Sequence, residues 1–288
     1  MSIAAHPSLP SPGDGPRNGV ARVALWIRAF MRRDVLTELS YRANVTLGLL
    51  GGLFSVLLFF FLSQMVESAA PGLSHYRGGY FPFVLIGLSV MAFLNEALTG
   101  FSKRVRQAQL LGTLEAVLAT PISPAAAILC QSVQPLFWAA LRASMYLAFG
   151  VLLFGAELSG GNLPAAGLAI VLGVLSFAAL GILSASATMV FKRGDPVAWA
   201  IGGLSILLGG VYYPVEVLPL ELQALAEALP MTHTLRALRE ALLGGGQEAL
   251  ARSLAVLSGF VAVLVPLSLV TFGIAVKKAR REGSLTHF

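Results

Sequence analysis

Charge is what this sequence has least of. Only 12% of its 288 residues are charged, against about 25% in an ordinary soluble domain, while 56% are hydrophobic and the mean hydropathy is +0.78. So few polar groups cannot cover a water-facing surface of this size, which excludes a soluble globular enzyme and, equally, a disordered chain. Cysteine is reduced to Cys130, so neither an intrachain disulfide framework nor a cysteine metal cluster is available. The four histidines all fall outside the long apolar runs, and Gly-x-Ser-x-Gly and His-Glu-x-x-His are both missing. An intramembrane enzyme such as a serine protease is the alternative reading, yet its nucleophile would lack a base within reach. An ion-coupled carrier should bury several ionisable groups near the bilayer centre, and only Arg142 is a candidate.

What the chain does have is long apolar runs. About 20 apolar residues carry a helix across roughly 30 Å of hydrocarbon. Six runs meet that need, at about 43–66, 78–101, 125–156, 164–191, 196–214 and 253–276, interrupted only by Glu96 and Arg142. The expected fold is an all-α integral membrane protein with six transmembrane helices. Lys and Arg set its orientation. Fifteen fall before the first run, after the second, after the fourth and after the last; four (Arg77, Arg236, Arg239, Arg252) fall on the other side. Both termini are therefore expected in the cytoplasm, as an even number of crossings requires. The net charge of +6 then marks a cytoplasmic membrane face, and no nucleic-acid partner is expected. The localisation that follows is the plasma (inner) membrane, multi-pass.

Three segments outside the runs have patterns of their own. Residues 1–19, rich in Ser, Pro and Gly, read as a disordered tail and not as a signal peptide, since the first long apolar run begins at 43. After it, Val20, Val23, Ala24, Ile27, Met31 and Val35 recur at helical spacing opposite Arg22, Arg28, Arg32 and Arg33. That is the pattern of an interfacial helix with guanidinium groups at anionic headgroups, or of a solvated helix packed on the spans. Between runs two and three, Leu110, Leu114, Val117 and Leu118 share one helical face, and Pro121 and Pro124 stop the helix. Such a helix packs on its own spans or docks in another protein's groove. Before the last run, Leu222, Leu225, Ala226 and Leu229 make one short helix between Pro219 and Pro230. A second, capped by Thr232, carries Leu235, Leu238 and Leu242 to Gly244. Both are of re-entrant type, dipping into the outer leaflet, or else form a small external cap. A single membrane domain spans 20–282, followed by a cytoplasmic tail at 283–288.

Three stretches resemble the permease subunit of the type-2 ATP-binding-cassette exporter family. Gly112-Thr113-Leu114-Glu115 with Ala119-Thr120-Pro121-Ile122-Ser123 is similar to that family's coupling segment. Gly209-Gly210-Val211-Tyr212-Tyr213-Pro214 with Leu218-Pro219 is similar to the end of its fifth span. Leu229-Pro230-Met231-Thr232, through Arg236, Arg239 and Leu242-Leu243-Gly244, is similar to its second external helix. The resemblance implies two six-span subunits, homo- or heterodimeric, around a central path. It implies a cytoplasmic coupling helix (Leu110, Gly112, Thr113, Leu114, Glu115, Val117, Leu118) seated on an ATPase, and an outer re-entrant segment (Pro214, Pro219, Pro230, Thr232, Arg236, Arg239). Gly-x-x-x-x-Gly-Lys-Ser/Thr is absent from the chain. The ATPase must then be a separate partner, using ATP and Mg, and this chain is expected to bind no cofactor and to catalyse nothing itself. Drugs, lipids and lipid-linked glycans are the family's cargoes, and the Gly- and Ala-rich interior favours a lipophilic one.

Single residues complete the expectations. Glu115 is a docking contact or a solvated carboxylate near the basic run. Glu96 lies near the inner end of its span and reaches water. Arg142 either snorkels to the inner boundary or lines the path and attracts an anionic group. Gly173, Ala178, Ala179, Gly181, Ser184, Ala185, Ser186, Gly202-Gly203 and Gly209-Gly210 permit close helix packing. His233 reads as a surface polar group. Tyr76, Tyr80, Tyr212 and Tyr213 read as an outer aromatic belt.

Overall fold

A computed structural model of the chain describes residues 42–66, 79–110, 124–158, 161–191, 195–244 and 246–281. The tail and interfacial helix expected at 1–41, coupling positions 112–118, and Tyr76 and Arg77 lie outside the described residues. Eight helices form the described part: α1 (Arg42–Val66), α2 (Tyr80–Leu110), α3 (Pro124–Phe154), α4 (Leu163–Phe191), α5 (Pro196–Leu208), α6 (Leu220–Glu227), α7 (Pro230–Arg239) and α8 (Gln247–Arg281). A 3-10 turn at Val215–Val217 precedes α6, and a π turn at Glu240–Gly244 continues α7. Among the described residues there is no strand. Five helices (α1 to α4 and α8) are long and apolar enough to cross a membrane.

The helices do not simply follow the apolar runs. α2 continues past Phe101 to Leu110 because Lys, Arg and Gln are good helix formers. The run expected to cross at 196–214 becomes a helix of 13 residues, about 20 Å long. Its start is built by Asp195, whose side chain accepts the Ala198 amide at 3.0 Å and the Ser184 hydroxyl at 2.6 Å, tying α5 to α4. Pro196 follows at the first helical position, where no N–H is needed. It stops because Gly210 turns to φ +76°, a conformation only glycine adopts without strain. The freed carbonyls beyond it need partners, and the site described below supplies them.

α2 is the centre of the packing: 72% of its apolar window is buried, against 17% for those of α1 and α3. Ile86, Val90, Leu94 and Leu98 recur every four residues along it and form one ridge. Against that ridge lie Phe177 and Leu180 of α4, Leu235 and Leu238 of α7, and Leu257 of α8. A second cluster (Phe101, Ile182, Met189, Phe272 and Val276) closes α2, α4 and α8 at the other end. α1 is attached by aromatic rings, with Phe60 edge-on to Phe81 at 5.3 Å and against Phe154 at 4.7 Å.

The small residues do not all act alike. At Gly181 a Cβ would stand 2.1 Å from the Ala97 carbonyl oxygen, so α2 and α4 meet backbone to backbone there. Gly203, expected to serve the same purpose, has nothing within 4 Å. It sits on an outward face of α5 and makes no close approach. Tyr80 departs from the expected tyrosine belt. Tyr80 is buried, with its hydroxyl donating to the Tyr212 carbonyl at 2.9 Å, and Tyr212 stacks flat on Phe59 at 5.3 Å. Packing between α1, α2 and the turn after α5 draws these rings inward.

Candidate functional site

The segment from Pro214 to Gly244 folds into a hairpin of two short helices that closes one end of the bundle. Proline begins each arm. Pro219 precedes α6, Pro230 is the first residue of α7, and Pro214 introduces the 3-10 turn. A helix of eight residues leaves its last carbonyls unsatisfied, and α7 supplies the partners. Thr232, expected as a helix cap, instead donates its hydroxyl to the Ala226 carbonyl at 2.7 Å. His233, expected on the surface, is 4% exposed. Its Nε2 lies 2.9 Å from the Glu227 carbonyl oxygen and 3.4 Å from the Glu227 carboxylate, and its ring leans on Phe260. Both corrections have one cause: α7 begins at Pro230, three residues earlier than a Thr232 cap allows, which turns positions 232 and 233 toward α6.

Arg236 faces outward and pairs with Glu227 at 2.8 Å and Glu216 at 3.5 Å. Burial alone would raise the Glu227 carboxyl, but the hydrogen bond and charge of Arg236, with the charge of His233, outweigh it and hold the group below its ordinary 4.5. A folded-state value that is depressed stabilises the fold above the unfolded value and is lost as pH falls through the folded one. The melting temperature of the detergent-solubilised protein should therefore drop as pH falls below 4.5, and Glu227→Gln should flatten that drop. An equal acid drop in the variant would assign it to other carboxylates.

Arg239, three residues on and counted above among the cations of the outer side, is 4% exposed. Its Nε and Nη2 donate to the Phe83 carbonyl at 3.2 and 3.0 Å, its Nη1 to the Gly210 carbonyl at 2.8 Å, and its Nη2 to the Val211 carbonyl at 3.2 Å. The guanidinium carbon lies 3.4 Å above the Phe83 ring centre. One planar fork thus serves the main-chain oxygens left where α5 ends, as well as one in the first turn of α2. Gly87 makes room for it: a Cβ there would fall 2.2 Å from the Val211 oxygen. Sequence reasoning missed this joint. Its only trace was Gly-Gly at the end of an apolar run with an arginine 29 positions beyond Gly210.

Elsewhere, Arg142 is not alone: it lies 3.8 Å from Glu96, with 49% and 29% of the two side chains exposed. The two charges partner each other across α2 and α3, which lowers the cost of placing them in apolar spans. A cavity of about 200 Å³ opens between α3 and α4, floored by Val90 and Phe93 of α2 and walled by Ala143, Val174 and Phe177. Leu238 and Thr234 of the hairpin roof it. The hydroxyls of Ser89 and Thr234 donate to carbonyls of their own helices, Leu85 and Pro230. The lining is therefore apolar in effect. Arg142 is not among the lining residues; along α3 it projects to the face opposite Ala140 and Ser144. Leu110 is the last residue of α2, so the helix delivers the chain directly into 111–118.

Comparison with known families decides what kind of molecule this is. A family model described as ABC-2 type transporter matches residues 25–243, from before α1 to the end of the outer hairpin. The chain belongs to the ABC-2 type transporter family. No curated protein matches it. As an ABC-2 membrane domain it is a multi-pass permease component of an ABC transporter, a class that works with an ABC ATPase. The family assignment gives no support to the protease alternative.

Proposed function

We propose that this ABC-2 chain is the permease subunit of an ATP-driven exporter, forming half of a translocation path with a second permease copy and moving a lipophilic cargo. The match over residues 25–243 carries the reading. In it, α5 with the turn at 209–213 makes the fifth of six crossings, and the α6–α7 hairpin re-enters the outer leaflet. Both termini face the cytoplasm of a plasma (inner) membrane. Fifteen of the twenty Lys and Arg residues on the cytoplasmic side support that orientation. The nine residues of α2 beyond Phe101 add about 13 Å, enough to bring Leu110 clear of the hydrocarbon. There Gly112, Thr113, Leu114, Glu115, Val117 and Leu118 would dock on the ATPase, which uses ATP and Mg while this chain binds neither. The apolar groove roofed by the hairpin supports a lipophilic cargo.

Purification of the tagged chain from its native membrane should recover an ABC ATPase. Leu114→Asp with Leu118→Asp should lower that recovery about tenfold, the equivalent of ~1.4 kcal/mol in binding, and Glu115→Arg should weaken it further from the polar side. Unchanged recovery in the double variant would overturn the docking role of 110–118. Export by vesicles holding this chain with no ATPase would overturn the whole reading.

A further inference from the structure

We propose that Arg239 is the positioning residue that makes the outer hairpin follow α2, so that a displacement at the coupling segment reaches the outer face. The inference rests on the docking role proposed for 110–118 and adds the part of the path that lies beyond it. It concerns no contact with cargo.

The argument begins with what kind of contact holds α7 to each neighbour. Against α8 the hairpin presents apolar side chains, Leu235 and Leu238 clustering with Leu257, and against α4 it packs on Phe177 and adds one main-chain bond, from the Asn162 N–H to the Ala241 carbonyl at 3.3 Å. Interdigitated apolar faces can slide by small shear steps at little cost, because one set of dispersion contacts replaces another. Against α2 the contact is of another type. Two nitrogens of Arg239 converge on the Phe83 carbonyl, and the same guanidinium holds the carbonyls of Gly210 and Val211. Hydrogen bonds to a charged donor are directional and cost the full desolvation of the carbonyls when broken. The Phe83 ring under the guanidinium plane removes one direction of slip, and the Gly87 backbone against the Val211 oxygen removes another. The one neutral bond to the start of α4 holds the hairpin less firmly than the charged fork that keys it to α2.

Connectivity supplies the second part. α2 runs unbroken from the key at Phe83 to Leu110, 27 residues and about 40 Å. The coupling positions follow at once. The other helices under the hairpin, α4 and α8, end at 191 and 281 and do not lead into 110–118. Of α2, α4 and α8, α2 is the one that is both continuous with the coupling segment and gripped by the Arg239 guanidinium of α7. A push or rotation at the inner end thus arrives at Phe83, and Arg239 passes it to the hairpin.

The test uses the full chain reconstituted with its ATPase, with Cys130→Ser as background so that paired cysteines can carry spin labels. An inner pair, Lys103→Cys with Lys277→Cys, reports movement of α2 relative to α8. An outer pair, Glu221→Cys with Leu152→Cys, reports movement of the hairpin relative to α3. All four positions are exposed. Distances are measured without nucleotide and with a trapped ATP analogue. With Arg239 intact, both pairs should shift. With Arg239→Met, the inner pair should still shift and the outer pair should not, while ATPase recovery and basal hydrolysis stay at the parent level. A merely structural arginine would lose both shifts together. Should Arg239→Met fail to insert, Arg239→Lys keeps the charge without the planar fork and should reduce the outer shift alone. An undiminished outer shift in either variant overturns the proposal. No inner shift with Arg239 intact overturns instead the docking reading beneath it.

Discussion

Gly181→Leu should prevent the folded chain from accumulating, lowering the monodisperse peak of detergent-extracted protein by about tenfold or more. The reason is local and steric. A Cβ at 181 would lie 2.1 Å from the Ala97 carbonyl oxygen and 2.8 Å from the Phe101 ring. Over-packing a core usually costs about 1–3 kcal/mol, because side chains can turn aside. Here the obstacle is backbone in the middle of α2, and it can retreat only by separating α2 from α4. That separation would open the ridge of Ile86, Val90, Leu94 and Leu98, around which the other helices are arranged. Set against a total stability of about 5–15 kcal/mol, the loss is large. Gly203→Leu is the matched control, since nothing lies within 4 Å of that position. Equal yields for the two variants would show that α2 and α4 do not meet as described.

At Gly87 the expected effect is nearly as large, with a different signature. A Cβ there would stand 2.2 Å from the Val211 oxygen and 3.3 Å from Nη2 of Arg239. The conflict begins at the first side-chain atom, so alanine should harm almost as much as valine. Both should lower the melting temperature and expose the α6–α7 hairpin to protease, because the turn after α5 must leave its seat. Gly150 provides the contrast. A Cβ at 150 meets side-chain atoms of Leu85, from 2.2 Å, and no backbone. Gly150→Ala should therefore be mild. If Gly87→Ala is also mild while Gly87→Val is severe, the effect is one of volume, and the backbone contact with Val211 is not tight.

Some of this was legible in the residues and some was not. Helix type and approximate extent follow from local composition: 25 residues from Arg42 with no charge after the first can only bury their amides in a helix when no water is near. Asp195-Pro196 likewise reads locally as a helix start. The roles of polar groups at helix ends are different, because they depend on which chain end arrives opposite. Thr232 and His233 look like a cap and a surface group until α6 is laid beside them.

Arg236 and Arg239 have the same side chain and lie three positions apart on one helix. One meets carboxylates at the rim and the other meets three carbonyls inside. No local pattern distinguishes them, since the distinguishing atoms belong to Phe83, Gly210 and Val211. Periodicity and charge counting by themselves determined a multi-pass helical membrane protein, because hydrocarbon imposes the same requirement on every stretch of backbone. The tertiary structure alone decided that α2 is the central helix, that Gly181 and Gly87 are contact points while Gly203 is not, and that a buried guanidinium joins the outer hairpin to α2. Those outcomes depend on distances between segments remote in the chain, which side-chain order along one helix does not encode.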